Sequence, residues 1–119
     1  MQPRSLKLVE DIRDAAAFIR DAARGKSIDD YRRDRLLRQA VERNFEIIGE
    51  AIRRLAQHDA EAVACIGDYR QIIAFRNVLI HGYDLVDHAL VWSAIEKQVP
   101  ALLRDVEKLL ATGASRNGG

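Results

Sequence analysis

A chain of 119 residues has the length of one domain, and its 48% apolar content is enough for a single compact core. Nineteen Lys and Arg against eighteen Asp and Glu leave a net charge of +1, which excludes a broad electrostatic nucleic-acid binder but not a small local basic site. The single cysteine, Cys65, excludes an internal disulfide and a cysteine-based zinc site within one chain, and reads as a small, partly buried hydrophobe.

Seven Gly and two Pro are present, and the interior is nearly free of such breakers, which favours long helices. No stretch alternates apolar and polar residues for long enough to make a strand. The first helix is expected from Ser5, as its N-cap, to Arg24, with Leu8, Ile12, Ala15, Ala16, Ile19 and Ala23 inward and Gly25 as the stop. The second is expected from Ser27 or Asp29 to Gln57, a helix of nearly 30 residues and about 40 Å. Leu37, Val41, Phe45, Ile48, Ile52 and Leu55 form its apolar stripe. Leu36, Ala40, Ile47 and Ala51 widen that stripe enough to leave surface for a second chain. Gly49 inside it costs about 1 kcal/mol in propensity relative to alanine, which close approach of another helix would explain. Asp59 to Ile66 is expected as one or two helical turns ended by Gly67. Asp68 then caps a helix from Tyr69 to Ile80 or His81, with Ile72, Ile73, Phe75, Leu79 and Ile80 inward. The last helix begins near Asp87, and Pro100 predicts a kink or break just before it. The expected architecture is all-α, an antiparallel bundle of four main helices. Residues 1–111 form one domain and 112–119 a flexible tail. No run approaches the ~18 apolar residues of a membrane span. Glu10, Asp11 and Asp14 argue against a signal peptide, so the expected setting is cytoplasmic.

The stretch "RNVLIHGYD", residues 76–84, places a cation, an amide, an imidazole and a phenol around the apolar Val78-Leu79-Ile80. Arginine offers a permanent charge and a fork of donors that fits phosphate. Histidine moves protons near neutrality. Asparagine can orient a neighbour. No carboxylate pair or His cluster at metal-ligand spacing accompanies them, which points to phosphodiester chemistry without a metal or other cofactor, with an RNA 2′-hydroxyl as internal nucleophile. On a regular helix Arg76 and His81 lie about 140° apart, so one straight helix does not converge both on one small ligand. Fraying at His81-Gly82 or a two-fold dimer would bring them together. The structural alternative, a histidine serving the last carbonyls of its helix, stays open at this point.

The pattern R-x-x-x-x-H-x-Y, here Arg76, His81 and Tyr83, resembles the signature of the HEPN superfamily, in particular the HepT-like toxins. "AVERNFEIIGEA" (40–51) is similar to the family's long helix. "YRQIIAFRNVLIHGYDLVDHALVW" (69–92) is similar to its motif helix and the entry to its last helix, and "LVEDI" (8–12) to its first. The resemblance covers about positions 6 to 105. It implies a helical homodimer and an endoribonuclease whose composite cleft holds the Arg and His of both protomers. Arg76 would then stabilise the scissile phosphate, His81 transfer protons and Asn77 help position them, leaving 2′,3′-cyclic phosphate and 5′-hydroxyl ends. It also implies an MntA-type minimal nucleotidyltransferase as antitoxin partner, which silences the toxin by adenylylating Tyr83. The substrate would be RNA, tRNA or mRNA, with neither DNA nor a membrane as partner.

The alternative is a non-catalytic helical dimer that binds a nucleotidyltransferase or a nucleotide. Arg32, Arg33, Arg35, Arg38, Arg43, Arg53 and Arg54 read mainly as a solvated face paired with acids. His58 and His88 read as surface residues, and Trp92 as core or interface.

Overall fold

The computed structural model describes residues 1–81 and 86–118, with 114–118 as backbone alone. Helix α1 (Pro3–Ala23) opens with proline in its first turn, where the missing N–H has no intrahelical partner to lose. Ser5 is not the cap. It lies inside the helix, 2% exposed, and its hydroxyl helps the Ala62 N–H hold the Asp59 carboxyl below its usual range. Past the end of α1, Gly25 adopts φ +73°, a left-handed conformation that a side chain would strain.

The expected single second helix is two. Helix α2 (Ile28–Arg33) starts in a capping box, with the Asp30 N–H on the Ser27 hydroxyl at 3.2 Å and the Ser27 N–H on the Asp30 carboxylate at 2.9 Å. Helix α3 (Arg35–His58) starts one residue after α2 ends. Between them Asp34 leaves helical dihedrals (φ −107°, ψ 95°) and accepts the Leu37 N–H at 3.1 Å. An aspartate that caps a new helix competes with continuation of the old one. The break allows α2 to bury Tyr31 completely against His88 and Trp92, with ring centroids 5.8 and 5.6 Å away.

Helix α4 (Ala60–Val63) is a single turn capped by Asp59, which accepts the Ala62 N–H at 3.0 Å. Helix α5 (Tyr69–His81) follows Asp68, which has φ 57°. The Gly67 N–H donates to Asp105 at 3.0 Å, tying this entry to the last helix. Helix α6 (His88–Gly118) begins with Asp87 accepting the Ala89 N–H at 2.8 Å. It is not broken at Pro100 and runs on through most of the segment expected as a tail. The lost bond at Pro100 falls on the Glu96 carbonyl, and Glu96 is exposed, within reach of water.

Helix α1 packs between α3 and α6, and α5 packs on α3. Val9, Ile12 and Ile19 of α1, Val41, Ile48, Ile52 and Leu55 of α3, and Val91, Val99 and Val106 of α6 are buried to 1% exposure or less. Each such side chain contributes about 1.5–3 kcal/mol by leaving water. The whole first stripe of α3 is inward, but Leu36 of the second stripe is 81% exposed. Of α5, Ile72 and Leu79 are buried, while Ile73, Phe75 and Ile80 are half-buried. The Phe75 ring meets Phe45 edge-on at 5.1 Å. Val78, outside the expected inward set, is exposed. Among the described residues no helix is long and apolar enough to cross a membrane.

Candidate functional site

Helices α3 and α5 come closest where Gly49 faces Arg76. A Cβ at Gly49 would lie 2.6 Å from the Arg76 Cγ and closer still to its Cβ. Absence of a side chain at position 49 therefore makes room for the arginine stem, and this explains the glycine within α3. The next residue, Glu50, receives the guanidinium, with Arg76 Nη2 on Glu50 Oε2 at 3.2 Å. Both side chains are about three-quarters shielded from solvent. Arg76 Nη1 donates to Asn77 Oδ1 at 3.3 Å. Arg76 Nε is buried and has no hydrogen-bond partner.

Glu50 also takes Arg53 Nη2 at 2.8 Å and Arg54 Nε at 3.0 Å, from one turn further along α3. The hydrogen bonds from Arg53 and Arg54, with the Arg76 charge beside them, hold its carboxyl down at about 2, against the opposing effect of burial. Glu50 is thus a fixed anion on which three arginines converge. Every other ion pair among the described residues joins positions one to four apart in sequence. Glu50–Arg76 alone links two helices.

A groove of about 250 Å³ runs beside this pair. Arg43, Arg54 and Arg76 bring positive charge to its wall, and Asp11, Glu46 and Glu50 negative charge. Ile80 carries the groove toward the end of α5. His81 is exposed in the last turn of α5. The helix is intact through His81, so Arg76 and His81 keep the wide angular separation that five residues impose within one chain. Tyr83 lies outside the described residues.

Outside this groove the arginines mostly behave as a solvated face. Arg32 pairs with Asp29 at 3.6 Å. Arg38 instead donates to the backbone carbonyls of Tyr31 and Arg32, closing the α2–α3 turn. Cys65 is exposed rather than partly buried. His58 is exposed as expected, but His88 is not a surface residue. It is half-buried with its Nδ1 fully covered, against the Tyr31 ring. Trp92 packs partly buried on the core. Sequence reasoning missed Glu50. The available signals were its spacing to Arg53 and Arg54 and its place beside an unexplained glycine.

The family model described as "Ribonuclease HepT-like" matches residues 12–109. The chain belongs to the HepT-like ribonuclease family. Curated relatives cover most of its length. "Putative RNase TTE0752" of Caldanaerobacter subterraneus subsp. tengcongensis is 31% identical over 86% of this chain and 90% of its own. "Probable ribonuclease HepT" of Thermococcus cleftensis is 32% identical over 85% and 91%. "Putative RNase MJ1380" of Methanocaldococcus jannaschii is 29% identical over 84% and 87%. No solved structure matches the chain. The all-α bundle and the family resemblance both stand.

Proposed function

We propose that this HepT-like ribonuclease is the toxin of a toxin–antitoxin pair and cleaves RNA by internal transesterification without a metal. The observation that carries the reading is Arg76. It is a half-buried cation anchored to a second helix, with a covered N–H donor unfilled, in a chain of a ribonuclease family. The RNA 2′-hydroxyl loses its proton and its oxygen attacks the adjacent phosphorus. The bond from phosphorus to the 5′-oxygen breaks, and that oxygen takes up a proton. The products are a 2′,3′-cyclic phosphate and a 5′-hydroxyl. Arg76 stabilises the charge that builds on the non-bridging oxygens. His81 accepts or donates the proton, and Asn77 holds Arg76 in place. Because the nucleophile belongs to the substrate, no metal-bound water is required.

In this reading two protomers contribute to one cleft, since His81 and Arg76 of one α5 point in different directions. A cognate nucleotidyltransferase silences the enzyme by transferring AMP from ATP to the Tyr83 hydroxyl with release of pyrophosphate. An adenylate so close in sequence to Arg76 and His81 occupies their charge and blocks RNA. The near balance of three basic and three acidic side chains around the groove favours the second reading, a helical dimer that binds the nucleotidyltransferase and cuts nothing.

The deciding experiment incubates unadenylylated wild type, verified by intact mass, and His81→Ala with total tRNA and mRNA in EDTA. Cleavage by wild type alone, leaving cyclic-phosphate ends, is the expected result. Intact RNA with the unmodified wild type would leave the binding module.

A further inference from the structure

We infer that Glu50 is a positioning residue: it fastens Arg76 across the α3–α5 interface so that the guanidinium is held in one orientation at the groove. The inference rests on the ribonuclease reading above and adds to it a residue outside the R-x-x-x-x-H pattern.

A free arginine side chain has four rotatable torsions and loses much freedom when it must meet a phosphate in one orientation. In this structure three features remove that freedom beforehand. The Arg76 stem lies against the bare backbone of Gly49. Its Nη2 is on Glu50 at 3.2 Å. Its Nη1 is on Asn77 at 3.3 Å. Its Nε is covered by protein, so the donors left for an incoming anion are the Nη N–H bonds that Glu50 and Asn77 do not take. An anionic oxygen arriving along the groove supplies the acceptor.

Glu50 suits the task because its charge does not titrate in the range where RNA is assayed. Arg53 and Arg54 keep it ionised down to about 2, and the same two arginines keep its carboxylate from swinging toward solvent. A carboxylate held this firmly is no proton shuttle. Its removal should change how often Arg76 is in place and leave the pH profile its shape.

The test compares kcat, KM and the pH–rate profile of wild type, Glu50→Ala, Glu50→Gln and Arg13→Ala. The Arg76 Nε–H signal is followed by NMR exchange, and each variant is checked for fold by circular dichroism and melting. Glu50→Ala should lose about tenfold or more in kcat with KM within about threefold. Its Arg76 Nε–H should exchange faster, with no change in profile shape. Glu50→Gln keeps an acceptor oxygen and the side-chain shape, should fold where alanine does not, and should fall between the two. Arg13→Ala, which removes a surface pair with Asp14 on α1, should stay within about threefold of wild type.

A Glu50→Ala enzyme as fast as wild type, or faster, would mean that the carboxylate competes with phosphate for Arg76, and the inference would be wrong. It would be equally wrong if kcat fell while the Arg76 signal stayed unchanged, if Arg13→Ala fell as far, or if Glu50→Gln lost one limb of the profile. Active wild type with active Glu50→Ala removes this role alone. Wild type that leaves RNA intact removes the ribonuclease reading and this role together.

Discussion

Gly49 shows how one missing side chain shapes the candidate site. In an isolated helix Gly49→Ala should stabilise, because glycine costs about 1 kcal/mol there. In this fold the added methyl meets the Arg76 Cβ and Cγ inside contact distance, so α3 and α5 must separate or the arginine must move. Overpacking of this kind costs about 1–3 kcal/mol. The substitution should therefore lower the melting temperature despite better helix propensity, and lower RNA cleavage more than it lowers stability. Thermal denaturation alongside kcat decides it, and a melting point above wild type would show that the interface yields freely. From the sequence, Gly49 was legible as a cost awaiting a reason. Its partner was not, because Arg76 lies 27 residues away and nothing local records that contact. The same holds for His88. Its place beside Tyr31 depends on α2 turning inward, which no periodicity announces.

At the scale of elements, the apolar stripes of α1, α3 and α6 were legible because each repeats at three and four residues over several turns. Element ends were read less well. The break at Asp34 was invisible to a hydrophobic pattern that runs through it, yet the residue chemistry was present. Ser27 and Asp30 form one cap, and Asp34 begins another. Pro100 does not end its helix, because packing on both sides carries the helix past the lost bond. Asp34 offers a clean test. Asp34→Ala removes the acceptor for the Leu37 N–H, 3.1 Å away, and should cost about 1 kcal/mol, a fall in melting temperature of roughly 4 °C. Asp34→Asn should recover most of it, since asparagine caps as well as aspartate. If alanine at 34 leaves the melting curve unmoved, α2 and α3 hold their angle through Tyr31 and the core rather than through the cap.

At the scale of the whole molecule, the question is how one α5 can present an arginine and a histidine that face different ways. Arg76 is turned toward α3 and held there, while His81 is exposed in the last turn. If two protomers build the cleft, the working pair is Arg76 of one chain with His81 of the other. Arg76→Ala and His81→Ala homodimers should then each be inactive, yet a mixture should cut RNA. Random exchange at equal concentration makes half the dimers mixed. Each mixed dimer keeps one of the two cross-chain pairs, so activity should return to about a quarter of wild type. Tagged co-purification of the two variants establishes that mixed dimers formed. Mixed dimers without activity would mean that Arg76 and His81 must come from the same chain. The 140° between them would then have to close by movement at the end of α5.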